Sequence, residues 1–411
     1  MIEFQHFELK NGLKVYVHQD KSSPIAAFNI CYNVGSRDEN PEKTGFAHLF
    51  EHLMFGGSKN IDSYDEALQR VGGENNAFTS PDITNYYITL PVNNLETAFW
   101  LESDRMLSLS FDPKVLEVQR NVVIEEFKQR YLNQPYGDIW LKLRPLAYQI
   151  HPYRWATIGK EISHIENATM EDVKEFFYFH YLPNNATLVV GGNVSVSEIE
   201  KLANKWFGDI PSRKIPNRNL PVEPIQTVER RLETTERVPL DAIYKTYHIP
   251  GRHENGYFET DLLSDVLGRG KSSRLNQILV KEKKLFNSIS AYSTGSLDPG
   301  LLVISGHLNK GVDISTAEGE IEAILTEIKS NEISLLEMQK VKNQAKSTIG
   351  FGEVELLNRV MNIAFAANAG DVNYCNQEME KIDNVSQEDI LNMAQKVLKT
   401  ENCSTLLYKA G

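Results

Sequence analysis

The sequence predicts an α+β chain of two duplicated domains, and three observations lead there. Short runs of strand composition alternate with helical periodicity along the whole length. Residues 24–32 (PIAAFNICY) are echoed 215 residues on by 239–247 (PLDAIYKTY), and Arg37 and Glu39 return as Arg252 and Glu254 at the same offset. Farther along, 169–173 (TMEDV) returns as 386–390 (SQEDI) and 186–189 (ATLV) as 404–407 (STLL), a drift that loop insertions between two copies of one topology produce. Between the copies, Pro211, Pro216, Pro221 and Pro224 fall among charged and small polar residues, which reads as an extended linker. The expected organisation is a first domain over 1–210, a linker over 211–230 and a second domain over 231–411.

The elements follow in order. Residues 7–17 read as two strands joined at Asn11-Gly12, a two-residue hairpin signal. Residues 25–34 have the composition of a buried strand, and 44–57 form a helix that ends at Gly56-Gly57. A short helix over 64–71 stops at Gly72-Gly73; 75–79 read as a turn, 84–90 alternate as a strand, and 95–107 are helical. Asp112 and Pro113 suit the cap and first position of a helix over 113–132. A turn at 133–137, a helix over 138–148 and a loop at 151–153 come next. A helix over 168–181 opens on a capping-box pattern, and a strand over 186–192 and a helix over 196–207 close the first half.

Composition narrows the function. The chain has 411 residues, is 41% hydrophobic and 24% charged, and carries a net charge of −12 without a basic block, which argues against nucleic acid as a partner. Cys31, Cys375 and Cys403 form no CxxC pair, so neither a disulfide framework nor a thiolate zinc site is indicated. No stretch approaches a membrane span, and no basic segment followed by an apolar run opens the chain. A cytoplasmic protein is expected.

The chemistry concentrates at His48-Leu49-Phe50-Glu51-His52. On a helix, positions i and i+4 lie one above the other, so both imidazoles can face one ion, and Glu51 shares their side. Leu49, Phe50, Leu53 and Met54 make the other faces apolar, and a buried helix with this charge needs a partner or a metal. Zinc takes such ligands. A third ligand is sought on the helix over 113–132, where Val115, Val118, Val122, Ile124 and Phe127 supply the expected apolar stripe. Glu126, four residues past Val122, is the better inward candidate; Glu125 points about 100° away, and Glu117 lies earlier. Solvated surface acids are also ordinary at these positions. His151 is a further candidate, although a loop histidine beside proline is more often a hydrogen-bonding residue. The second copy places Asp261 and Asp265 opposite His48 and His52, keeping the apolar positions without histidines. Packing alone would ask for histidines in both copies, so their presence in one favours function.

These residues resemble a known family. His48-x-x-Glu51-His52 is the inverted zinc-peptidase signature. The chain resembles the pitrilysin/insulysin/mitochondrial-processing-peptidase family of inverzincins over nearly its whole length, in the form of a half-size bacterial-type catalytic subunit. Asn76-Ala77-Phe78-Thr79 looks like that family's substrate-binding edge strand, 120–126 (RNVVIEE) like the segment carrying its third ligand at Glu126, and 268–275 (GRGKSSRL) like a motif of its second domain. The resemblance implies two related domains, each an antiparallel β-sheet with helices packed on it. It implies one Zn2+ per chain held by His48, His52 and Glu126, with Glu51 as general base on zinc-bound water. It implies endopeptidase action on peptides or unfolded segments in an enclosed cleft, with the peptide added as a strand at 76–79.

Two departures shape the expectation. Where the family often has a supporting glutamate seven residues before the third ligand, this chain has Gln119. Single-chain members carry an Arg and a Tyr in their second half, and those positions fall here on Val280 and Asn287. The resemblance therefore implies a heterodimer in which a homologous subunit without zinc supplies the Arg/Tyr pair. A homodimer and a catalytically weak structural or assembly subunit stay open beside it.

Overall fold

The computed structural model describes residues 1–215 and 217–411, so Pro216 of the expected linker lies outside the described residues. The chain forms two compact units. One comprises Met1–Arg130, Trp155–Pro221 and Gly350–Gln377; the other comprises Tyr131–Arg154, Val222–Ile349 and Glu378–Gly411. The expected sequential division at 211–230 is thus only one of the points where the chain changes unit. Packing is the reason. Helix Leu356–Asn368 buries Val360, Ile363, Ala364 and Ala367 against Ala27, Cys31 and Val189 of the first unit. Helix Ile139–Ala147 buries Leu143 with Tyr244, Leu406 and Tyr408 of the second.

The first sheet has strands β1 (Gln5–Glu8), β2 (Lys14–Gln19), β3 (Ile25–Tyr32), β4 (Glu74–Thr79), β5 (Thr84–Pro91) and β6 (Ala186–Gly192), in the order β1-β2-β6-β3-β5-β4. β1 and β2 form a hairpin, but the paired strands end at Glu8 and Lys14, so residues 9–13 connect them rather than a two-residue turn at Asn11-Gly12. Gly12 N donates to Leu9 O, and Gly12 stands at φ 85°, where a side chain would be strained. Strand β3 is buried along nearly its whole length because helices cover both faces, as its unbroken apolar run requires. On one face helix Leu356–Asn368 lies so close that a Cβ on Gly191 would stand 2.4 Å from Val360 Cγ2. On the other, Phe28 packs edge-on against Phe99 of helix Leu95–Leu107.

Residues 75–79, read as a turn from their asparagines, instead belong to β4. Pairing with β5 across the register Asn76↔Tyr87 to Thr79↔Thr84 satisfies one side of their backbone and overrides the turn preference. β4 is the edge of the sheet, so its other side is open to an added strand.

The second sheet has β7 (Arg230–Glu236), β8 (Ala242–Ile249), β9 (Phe286–Ser293), β10 (Gly300–Leu308) and β11 (Cys403–Ala410), in the order β7-β11-β8-β10-β9. Without β1, the first sheet has the same order strand for strand, as duplication predicts. Each sheet is antiparallel except at one pair: β2 runs parallel to β6, and β7 to β11. Those partners are far apart in sequence, so no hairpin forces them antiparallel. Local devices recur as well. Thr169 and Asp172 close a capping box at helix Met170–His180, and Ser386 and Asp389 do so at helix Gln387–Val397. Among the described residues no helix is long and apolar enough to cross a membrane.

Candidate metal centre

Helix Phe46–Leu53 carries His48, Glu51 and His52. It opens on Gly45 at φ 87° and buries Phe46, Ala47, Leu49, Phe50 and Leu53. The unpaired N–H groups of its first turn are met by Glu39, whose carboxylate accepts from Gly45 N (3.0 Å), Ala47 N (2.9 Å) and Trp155 Nε1 (3.1 Å). Phe50 stacks at 4.8 Å on Phe176 and 5.3 Å on Tyr181, which fixes the helix's rotation about its axis. With Phe50 inward, the two histidines project on the opposite side, their ring centroids 4.8 Å apart.

The third group comes from helix Pro113–Phe127, capped by Asp112 as expected; its C-terminal end passes into a π-helical turn, Lys128–Leu132. Glu126 Oε2 lies 3.5 Å from His52 Nε2 and 3.7 Å from His48 Nε2. One ligand atom from each of the three residues falls within 4.8 Å of the others. Glu125, in contrast, is exposed and pairs with Lys128 at 2.8 Å. The stripe expected to direct Glu126 inward differs from the one observed. Val118 and Val122 are 56% and 44% exposed, and the buried residues are Leu116, Val123, Ile124 and Phe127. Glu126 sits at the margin of that face, three residues past Val123, where a carboxylate can reach inward while keeping one oxygen for Arg130, 2.9 Å away.

The donor set suits zinc: two imidazole nitrogens and one carboxylate oxygen, partly exposed, with room for a further ligand. Burial pushes the His48 imidazole down to about 4, partly opposed by the Glu126 charge, which favours the neutral ring that binds metal. Its Nδ1 is buried without a hydrogen-bond partner among the described residues, leaving Nε2 as the engaged atom. The Glu126 carboxyl is held below its usual range, first by its hydrogen bond with His52, so it is present as the anion.

Glu51 is not among the three clustered groups. Its Oε2 accepts the hydroxyl of Thr79, the last residue of β4, at 2.5 Å. Burial raises the Glu51 carboxyl above its usual value, and the Thr79 bond opposes that. Along β4, Asn75, Ala77 and Thr79 are half-buried, whereas Glu74, Asn76 and Phe78 are exposed. Asn76 Oδ1 accepts the N–H of Ala77 at 2.8 Å, and Phe78 turns to the opposite face, its ring 5.9 Å from that of Phe365.

The other candidates lie elsewhere. Gln119 is half-buried two turns before Glu126 and has no hydrogen bond to the three clustered groups among the described residues. His151 belongs to the second unit, where its Nδ1 accepts from Tyr153 N and its Nε2 lies 3.3 Å from Asp298. Val280 packs on the second unit's core and Asn287 is exposed on β9. The second copy of the histidine helix, Tyr257–Gly268, also begins on a positive-φ glycine, Gly256. Aligned on Gly45 and Gly256, His48 and His52 face Glu259 and Leu263, not Asp261 and Asp265. The glycine registers the helices where apolar similarity slips by two residues. Sequence reasoning missed Glu39 as the cap of this helix, although its recurrence as Glu254 marked it, and it missed the Thr79–Glu51 bond, which spans 28 residues and leaves no local signal.

Residues 14–153 match the family model described as insulinase (peptidase family M16), and 167–345 match the one described as peptidase M16 inactive domain. The chain is 32% identical to the zinc protease PqqE of Helicobacter pylori over 347 residues, covering 82% of this chain and 78% of that protein. It is 27% identical to a probable mitochondrial-processing peptidase subunit beta of Schizosaccharomyces pombe, over 71% of this chain and 66% of that protein. The crystal structure of a protease from Helicobacter pylori superposes with a TM-score of 0.94 at 29% identity, covering all of both chains.

Proposed function

From the insulinase (M16) family of peptidases, to which this chain belongs, we propose that it is a zinc-dependent endopeptidase acting on extended peptide segments, as the catalytic subunit of a two-subunit peptidase. The observation that carries the reading is the convergence of His48, His52 and Glu126 beside Glu51 and the open edge of β4. His48, His52 and Glu126 would hold one zinc per chain. The chemistry that zinc supplies when bound is that of a Lewis acid, polarising the scissile carbonyl and acidifying the attacking water. Glu51 takes the proton from that water and returns it to the leaving amine, a role served by its raised affinity for protons. The residues of β4 from Asn76 to Thr79 orient the peptide by main-chain pairing, which tolerates many sequences. Gln119 is kept as a supporting residue behind Glu126.

The subunit reading rests on Val280 and Asn287, which offer neither a cation nor a phenol where single-chain relatives have both, and on the similarity to a protein named as a processing-peptidase subunit. A partner supplying that pair restores a charged anchor and an oxyanion donor; loss of one such donor costs about a hundred- to a thousand-fold in turnover. The match to an inactive-domain model over 167–345 favours a second reading, a catalytically weak assembly subunit. The test is peptide hydrolysis by the purified chain alone, with chelator, and mixed with a homologous subunit lacking the histidines. Weak chelator-sensitive hydrolysis that rises by about that factor on mixing supports the proposal. Full activity from the chain alone refutes the subunit part, and no hydrolysis in any mixture favours the assembly reading.

A further inference from the structure

We propose that Thr79 is a positioning residue, its hydroxyl holding the Glu51 carboxylate in the orientation from which it meets the attacking water. This rests on the peptidase reading above. The Thr79 hydroxyl is the only hydrogen-bond donor to Glu51 among the described residues. A glutamate side chain has several free torsions, and freezing them costs conformational entropy. A single fixed donor at 2.5 Å supplies that restraint from the protein side. The bond engages Oε2, and Oε1, without a hydrogen-bond partner among the described residues, can receive a proton.

The donor's location adds a second consequence. Thr79 ends the edge strand β4, and its Cα partner Thr84 begins β5. A peptide added along β4 lies on the same strand that fixes the base, so substrate register and base orientation share one rigid element. The second copy supplies an internal contrast. Counting from the matched loop contacts, Arg37 N to Pro81 O and Arg252 N to Ser296 O, Thr79 corresponds to Thr294. Leu262 stands there in the place of Glu51, and the Thr294 hydroxyl accepts the N–H of Leu301 at 2.8 Å. The fold therefore accommodates threonine at this strand end for its own reasons, but nothing in the fold directs its hydroxyl to a carboxylate. That direction is particular to the copy with the histidines.

The experiment compares Thr79→Val and Thr79→Ser in the zinc-loaded chain, assayed with the partner subunit if the wild type needs one. Valine keeps the shape and removes the donor; serine keeps the donor. Thr79→Val is expected to lower kcat about 10- to 100-fold, the range that misplacing a proton-transfer group produces, with KM and zinc content unchanged, and Thr79→Ser to restore most of it. A role in strand structure only would raise KM or lower the melting temperature and would not be rescued by serine; that pattern overturns the proposal, as does an unchanged kcat in Thr79→Val. Glu51→Gln is the control for the parent reading: if it hydrolyses peptide as the wild type does, the assignment of Glu51 as general base has failed and Thr79 is not at fault. Crystal structures of the zinc-loaded wild type and Thr79→Val give a readout independent of turnover. The Glu51 carboxylate is expected within hydrogen-bond distance of Thr79 in the first and displaced or spread over rotamers in the second; a Glu51 carboxylate identically placed in both overturns the proposal.

Discussion

Removing the Glu126 carboxylate should weaken zinc binding about a hundredfold or more, while removing its neighbour's should not. In the proposed site zinc binds the folded chain through three groups within 4.8 Å of one another, and the unfolded chain offers no such cluster. At free zinc a hundredfold above the dissociation constant, binding adds about 2.7 kcal/mol to stability. In a unit of 150–250 residues each kcal/mol moves the midpoint about 2–4 °C, so zinc should raise the wild-type melting temperature by about 5–11 °C over the chelated protein. Outer partners of metal ligands cost about 10- to 100-fold in affinity when removed, and a ligand itself costs at least as much. With a hundredfold loss, the same zinc concentration half-fills the site and adds only about 0.4 kcal/mol, a shift of about 1–2 °C. Glu126→Ala should therefore show almost no zinc-dependent shift. Glu125→Ala should keep the whole shift, because Glu125 is 60% exposed and its ion pair among the described residues is with Lys128, a surface contact worth up to about 1 kcal/mol in either metal state. Differential scanning calorimetry with and without chelator, backed by metal analysis of dialysed protein, reads both. A Glu125→Ala variant that loses its zinc shift while Glu126→Ala keeps it would refute the assignment.

Further outcomes follow from the same geometry. Glu51→Gln should retain about one zinc per chain and lose about 10²- to 10⁴-fold in turnover, because Glu51 is assigned to proton transfer and not to ligation; metal analysis showing an empty site in this variant would contradict that. In metal-free protein, burial depresses His48 from 6.5 to about 4, so between these values the folded chain binds fewer protons than the unfolded one. Stability should therefore fall as pH drops from 6.5 towards 4, and His48→Gln should flatten that part of the urea-midpoint profile; parallel profiles would show that the ring's burial does not matter. Gly191→Ala should cost about 1–3 kcal/mol, since its Cβ would meet Val360 at 2.4 Å and press helix Leu356–Asn368 from the sheet. Unchanged denaturation would mean that this helix does not pack there.

The sequence carried much of the fold because the determinants are local and repeated. The cap at Asp112 and the matched capping boxes are each set within four residues, and each forms where the residues place it. Helix Leu356–Asn368 shows where local reasoning ends. Its apolar face announces burial, but the identity of the sheet it covers depends on residues more than 160 positions away, at Val189 and Cys31. β4 shows the same in miniature, since its asparagines favour a turn and only pairing with β5 makes it a strand. The histidine pair could be read from helical spacing alone. Glu126 was reached by a stripe that the structure corrects, and its place beside His52 depends on packing between two helices, which periodicity within one of them cannot fix.

The duplication separates what the topology needs from what the chemistry needs. A glycine at positive φ starts the helix in both copies, the Arg37 and Arg252 backbone contacts recur, and the strand order is shared, so these serve folding. The positions of His48, Glu51 and His52 become Glu259, Leu262 and Leu263, and the second helix forms all the same. A half-buried cluster of two imidazoles and a carboxylate is costly to maintain without a ligand, because the His48 and His52 Nε2 atoms and Glu126 Oε2 give up water for partners 3.5 Å or more distant. The second copy shows that the helix gains nothing structural from the cluster. The proposed function accounts for it with a bound ion, and with the ion a use for the carboxylate that Thr79 holds beside it.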